Sequence, residues 1–211
     1  MGSKKKPRRH GCRSPSIMGR SDIPYAQRMA MQHSNDIRTS RDHAAKIALY
    51  CMSVAMNEVE GIGYKRLVRF SLKYKDVVDE FYEDPDVGMA HARQYLAEIG
   101  MPISGEFFTA KWEAKSRRQG QVRDHALQAS QIALLCGTIA MHMEFGFAAS
   151  RQERISNRVS ELTGRYAKEG EGFLLEKMGK IGFRIVGSQA IACMEDDGTP
   201  VLPKNWGEEV M

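Results

Sequence analysis

Two stretches of this 211-residue chain repeat one pattern at a spacing of 85 positions. Without a gap, residues 47–71 and 132–156 share ten identities over 25 positions, whereas unrelated segments share about one or two, so we infer an internal duplication. A duplication shows which side chains both copies kept. It therefore constrains the fold more strongly than any other feature of the sequence.

Each copy opens with a helix that carries a face of small apolar side chains. The spacing i, i+3, i+4, i+7, i+11 places these residues on one side of the helix. They are Ala44, Ile47, Ala48, Cys51 and Ala55 in the first copy, and Ala129, Ile132, Ala133, Cys136 and Ala140 in the second. Such a face lets another helix approach closely. Gly61 and Gly146 follow these helices, where glycine favours a left-handed cap.

A second helix follows each glycine turn. Its apolar positions are Phe70, Tyr74, Val77 and Phe81 in the first copy, and Ile155, Val159, Leu162 and Tyr166 in the second. We therefore predict that the repeated unit is a helical hairpin. Residues 88–103 also resemble 172–185 after a three-residue deletion, which adds a third helix to each unit.

The sequence thus predicts a mainly α protein, built as a tandem duplication of a three-helix unit, with a disordered basic N-terminal arm. Ser40 to Asp42 and Asp124 are predicted to cap the first helix of each copy. A small C-terminal β-hairpin is predicted around the Asp197-Gly198 turn. The predicted segments are the flexible arm over 1–40, with at most a short helix near 24–33, the first repeat over 41–103, a charged bridge (helix or linker) over 104–123, the second repeat over 124–185 and an appendage over 186–211.

Composition favours a cytoplasmic protein without a membrane span. The longest apolar runs are too short to cross a bilayer, and no apolar segment follows the basic N-terminus as in a signal peptide. The four cysteines have no metal-ligand spacing. No nucleotide-binding, hydrolase or metalloprotease motif is present. We expect a non-enzymatic protein with no cofactor and no metal.

Basic residues recur at matching positions of the second helix in each copy, and we call these two sets the basic stripes. The first stripe is Arg66, Arg69 and Lys73, and the second is Arg151, Arg154 and Arg158. Each begins beside a helix N-terminus, where free N–H groups and the helix dipole attract anions, so the stripes are predicted to hold nucleic-acid phosphates. The alternative is a salt-bridged flank, with Glu58, Glu60, Glu144 and Glu153 as candidate partners.

The arm supplies a further group of predicted phosphate contacts, Lys4, Lys5, Lys6, Arg8 and Arg9. A merely solubilising tail is the alternative. Trp112 and Trp206 lie outside the repeats, where stacking on bases and packing in a small core both remain open.

The segment from Val59 to Leu67, with its Gly61-Ile62-Gly63 turn, resembles the helix–hairpin–helix module. That resemblance implies backbone contacts to DNA without sequence preference, with Gly61, Gly63 and Gly146 shaping the loops. The second copy departs from it, because Ala148 replaces the second glycine. The arrangement of helix, glycine turn and R-x-x-R also resembles short helical proteins of phages of Gram-positive bacteria, which implies no activity.

The predicted function is therefore a nucleic-acid-binding protein, with DNA and RNA both open. The alternative is a protein-protein interaction module, such as a phage adaptor or an inhibitor of a host factor. A homo-oligomer is also compatible with the sequence, because two equivalent units can pack on each other as a C2 dimer does.

Overall fold

The computed structural model describes residues 24–81, 85–101, 116–195 and 198–201. Helices hold 81% of these residues, which confirms the mainly α prediction. The helices are α1 (Tyr25–Glu60), α2 (Tyr64–Phe81), α3 (Pro85–Glu98), α4 (Arg117–Phe145), α5 (Ala149–Glu169) and α6 (Glu171–Ile181). Two short strands follow, β1 (Arg184–Val186) and β2 (Gln189–Ile191).

The predicted three-helix repeat is visible in the element order, with α1 to α3 matching α4 to α6. The third helices end alike. The N–H of Met101 donates to the carbonyl of Leu96 (2.8 Å), and the N–H of Phe183 donates to that of Met178 (3.1 Å). All four side chains are buried, so each helix end is closed by the same backbone bond and the same apolar contact.

The helices α1 and α4 run parallel and form the centre of the molecule. Near their N-termini, His33 bonds Gln121 (3.0 Å) and Arg118 bonds Asp36 (2.5 Å). In the duplication His33 corresponds to Arg118, and Asp36 corresponds to Gln121. The two contacts are therefore equivalent, and a pseudo-twofold axis relates them. Further along, Met52 packs against its own counterpart, Gly137. The axis therefore runs between two parallel helices.

The two units are interlocked. The helix α2 packs on α4 rather than on α1, and α5 packs on α1 rather than on α4. The third helices follow the same rule, because α3 packs on α4 and α6 on α1. The predicted hairpin is therefore wrong as a packing unit: the short turns join the helices, but each apolar face is buried by the other copy.

Two predicted helix starts are wrong. The first helix begins at Tyr25, not at Ser40 to Asp42, so residues 25–40 are helical rather than part of a disordered arm. They contain neither glycine nor proline, and their half-buried positions, among them Met29 and Ile37, recur every three or four residues. From His33 onward this stretch pairs with α4, which stabilises a segment whose polar composition indicated disorder.

The second wrong start lies in α4, which begins at Arg117 rather than after Asp124. The hydroxyl of Ser116 accepts a hydrogen bond from the N–H of Gln119 (3.2 Å) and so caps this helix. The part of the predicted bridge from Arg117 to Arg123 is therefore helical, whereas residues 102–115 lie outside the described part of the chain.

The C-terminal region holds two successive antiparallel pairings, and the second is at the predicted turn, where the N–H of Val201 donates to the carbonyl of Cys193 (3.0 Å) and that of Glu195 to the carbonyl of Thr199 (2.9 Å). The strands β1 and β2 pair antiparallel around Gly187 and Ser188. The predicted Asp-Gly turn is spanned by an isolated bridge between Met194 and Pro200. Tyr64 fixes this region to the bundle, since its hydroxyl bonds both the N–H and the carbonyl of Cys193.

The core lies along the α1–α4 contact and under α2 and α5. Both predicted small-residue faces are buried there, apart from half-buried Ala44. Cys51 and Cys136 are almost fully buried, and burial raises the pKa of each thiol to about 12. By length and composition α4 would suffice to cross a membrane, but 56% of its apolar window is buried, as in the core helix of a bundle.

Candidate nucleic-acid interface

The glycine turns close the first helix of each unit as predicted. Gly61 and Gly146 both adopt φ of 64°, a left-handed conformation that glycine takes without strain. The next residues, Ile62 and Phe147, fold back and are 2% exposed. Gly63 lies just before α2, and its carbonyl accepts from the N–H groups of Arg66 and Leu67. The left-handed glycines and the buried residues that follow them thus end α1 and α4 as helix caps.

The first basic stripe lies against the C-terminal end of α4. The guanidinium of Arg66 lies 4.9 Å from the ring centre of Phe145, a cation–π contact. Arg69 pairs with Glu144 at 3.2 Å. Lys73 pairs with Asp76 of its own helix at 3.5 Å. The first two cations thus hold α2 to the other unit.

The second stripe lies against the C-terminal end of α1 and makes more ion pairs with the other unit. Glu60, whose side chain is only 9% exposed, receives Arg154 at 2.6 Å and Arg151 at 3.5 Å. Arg158 bonds Glu58 at 2.7 Å and also contacts Glu161. These pairs tie α5 to α1, as the first stripe ties α2 to α4.

Glu58 is the most heavily paired carboxylate of this contact. Desolvation by burial raises its pKa, but hydrogen bonds from Lys177 and Arg158 outweigh it, so the net pKa lies below its ordinary value. The same contacts, first with Glu161 and then with Glu58, raise the pKa of Arg158. Three of the four acidic partners suggested by the sequence, Glu58, Glu60 and Glu144, therefore do pair with the stripes.

The stripes do not form one continuous track. The helix α2 packs on α4 and α5 packs on α1, so the central α1–α4 pair separates the two stripes. Arg69 of the first stripe and all three arginines of the second also pair with acidic groups of the other unit. The arrangement favours a structural role for the stripes over a phosphate track.

Positive charge is concentrated elsewhere. Residues 1–42 and 116–125, which we call the basic pole, carry 13 basic and 4 acidic side chains, a net charge of +9. The rest of the chain carries 18 basic and 22 acidic side chains, a net charge of −4. Of the +9, residues 1–23 carry +6, and the described part of the pole, at the N-terminal ends of α1 and α4, carries +3.

The described part of the basic pole is a parallel two-helix projection. It has three arginines on α1 and three on α4, against three aspartates. Arg118 pairs with Asp36 and Arg123 with Asp124, whereas Arg38 and Arg117 are exposed. This projection was not predicted, because residues 1–40 were expected to form an arm with at most a short helix near 24–33. The freedom of residues 25–40 from glycine and proline was the signal that was available.

Other candidate residues have ordinary structural roles. His43 bonds the hydroxyl of Tyr166 (2.9 Å), and His142 contacts the carbonyl of Phe147 (3.3 Å). Among the described residues, no group of three or more His, Cys, Asp or Glu is placed to hold a metal ion. The predicted contacts in the arm, Lys4, Lys5, Lys6, Arg8 and Arg9, and both tryptophans lie outside the described residues.

No family model, curated protein or solved structure matches this chain.

Proposed function

We propose that the protein binds nucleic acid through phosphate contacts at the basic pole. The observation that carries the proposal is the charge segregation along the sequence: the segments of the basic pole carry a net +9, and the remainder of the chain carries −4. A field of this kind attracts polyanions and orients the protein toward them. Residues 1–23, which directly precede α1 in the chain, contribute seven of the basic side chains.

The proposal shifts the principal contacts away from the stripes. A cation held by a carboxylate must give up that pair before it neutralises a phosphate, so Arg154 and Arg158 gain less from a polyanion than Arg38 and Arg117 do. If the principal contacts were on the stripes instead, substitutions in the stripes would weaken binding and substitutions in the pole would not.

The test is fluorescence anisotropy with a labelled strand of about 20 nucleotides, between about 50 and 200 mM salt. We expect wild-type affinity to fall steeply as salt increases. The double variant Arg38→Gln with Arg117→Gln is expected to weaken binding and to reduce the salt slope by about two.

The matched control is Arg66→Gln with Arg151→Gln, which removes the same charge from the stripes. We expect this variant to bind as the wild type does. No binding at about 50 mM salt, or an equal loss in both double variants, contradicts the proposal.

A protein-protein interaction module is the second candidate. It is supported by the exposed apolar side chains of the C-terminal hairpin, Val186 (49%) and Ile191 (41%), together with nearby Met194 (41%). Apolar contact is only weakly salt-sensitive, so a partner held there stays bound at high salt. This candidate becomes the preferred function if nucleic acid fails to bind.

A further inference from the structure

A groove lies where the two-helix projection joins the bundle. It has a volume of about 420 Å³ and lies between α1, α2 and α4. Its floor is apolar and is formed by small side chains, the methyl groups of Ala45, Ala129 and Ala133. The size falls within the range of pockets that hold small organic groups.

The walls of the groove differ in chemistry from its floor. Tyr74 of α2 presents an aromatic ring to the groove. The centre of this ring lies 6.3 Å from the centre of the Phe70 ring. Ser34, Arg38, Arg41 and Asp42 line the groove from successive turns of α1. The rim therefore carries two guanidinium groups against one carboxylate, beside an apolar cleft with an aromatic wall.

This combination belongs to the first unit alone. The duplication puts Val159 at the position of Tyr74, and Leu127 and Ser130 at the positions of Asp42 and Ala45. Val159 and Ser130 are almost fully buried, whereas Tyr74 and Ala45 are half-buried. Two related contacts thus diverged, one into closed packing and the other into an open cleft.

A nucleotide matches the chemistry of this cleft. A base is flat and largely apolar on its faces, and stacks on aromatic side chains, whereas its phosphate pairs with arginine. Bases of a duplex are stacked and paired with each other, so only an unpaired base can enter.

We propose that the groove takes one base of a single-stranded nucleic acid, with the adjacent phosphate on Arg38 and Arg41. This inference rests on the proposed function, since the side of the groove from Ser34 to Asp42 belongs to the basic pole. It adds that the ligand is single-stranded and is bound through a base as well as through its phosphates.

The test compares a normal DNA strand with an abasic strand that has the same number of phosphates. We expect the full-length protein to bind the abasic strand and a matched duplex about tenfold more weakly, the size of one lost base stack. Ala45→Phe fills the groove. This variant is expected to bind the normal strand only as tightly as the wild type binds the abasic strand. Ala90→Phe, at an exposed position of α3, is the matched control and is expected to change nothing.

Tyr74→Leu provides a second variant if Ala45→Phe does not fold, and the same loss is expected from the missing ring. Equal affinity for normal and abasic strands, or full affinity in these variants, overturns the groove while leaving phosphate binding at the pole intact. Absence of binding to every strand at low salt overturns the proposed function together with the groove.

Discussion

At the scale of single residues, the contact between Met52 and Gly137 defines how the two units meet. A Cβ added to Gly137 would lie 2.2 Å from Cε and 2.5 Å from Sδ of Met52. These residues are counterparts in the duplication, so one copy has a large side chain where the other has none. The Met52 side chain fills the space that the missing side chain of Gly137 leaves. This fit favours contact between the first unit and the second over contact between two copies of the same unit.

Exchange of this pair tests the pseudo-twofold axis. Gly137→Met is expected to destabilise by about 1–3 kcal/mol through overpacking, and Met52→Gly by about 3 kcal/mol through a cavity and a helical glycine. The double exchange is expected to recover stability to within about 1 kcal/mol, because each side chain then occupies the other's place. Urea denaturation measures all three, and additive losses would contradict the symmetry.

The sequence predicted the positions of the buried helix faces but not the partners of the stripes. Phe70, Val77, Ile155 and Leu162 are all buried as their spacing predicted. Whether Arg154 meets a phosphate or Glu60 depends on which unit packs against which. Periodicity within one helix carries no information about that choice.

The ion pairs of Glu58 predict a pH dependence. Because its folded pKa lies below the ordinary 4.5, its stabilising contribution is present above that value and is lost as pH falls through the lowered pKa. Glu58→Gln is therefore expected to cost about 1 kcal/mol at neutral pH and progressively less below pH 4.5. Thermal melts at several pH values measure this, with Glu153→Gln as the control on the exposed side of α5. A cost that does not change with pH would contradict the assigned pairs.

At the scale of elements, tertiary pairing decided the ends of the central helices. The polar stretch before Asp42 lacks an apolar stripe strong enough to predict a helix, yet it is helical where α4 runs beside it. The capping residue of α4 was visible in the sequence, since Ser116 is followed three residues later by Gln119, the spacing of a capping box. The start of α1 offered no comparable side-chain cap.

The cap of α4 gives a prediction at this scale. Ser116→Ala is expected to cost about 1 kcal/mol and to increase hydrogen exchange in the first turn of α4, because an N–H loses its acceptor. Ser71→Ala is the control, since that hydroxyl bonds the carbonyl of Leu67 in its own helix. Unchanged exchange in residues 117–121 would contradict the assigned cap.

At the scale of the whole molecule, the two units behave as a fused dimer. Each first helix is buried by the helices of the other unit, so separation would expose both small-residue faces. The duplication was evident from the sequence. The exchange of partners was not, because a hairpin and an interlocked pair bury the same residues.

Cleavage of the connection between the units tests this interlocking. We expect that a protease site inserted between Met101 and Ser116, once cut, leaves both fragments together in one gel-filtration peak at the position of the intact chain. Fragments that separate without denaturant would show that each unit holds its own core.

The central claim is that the basic pole, rather than the stripes, contacts nucleic acid. Hydrogen exchange measured with and without a bound single strand tests it most directly. We expect new protection within residues 25–45 and 117–129, with little change at the starts of α2 and α5. Protection centred on residues 66–73 and 151–158, with none at the N-terminal ends of α1 and α4, would contradict the account.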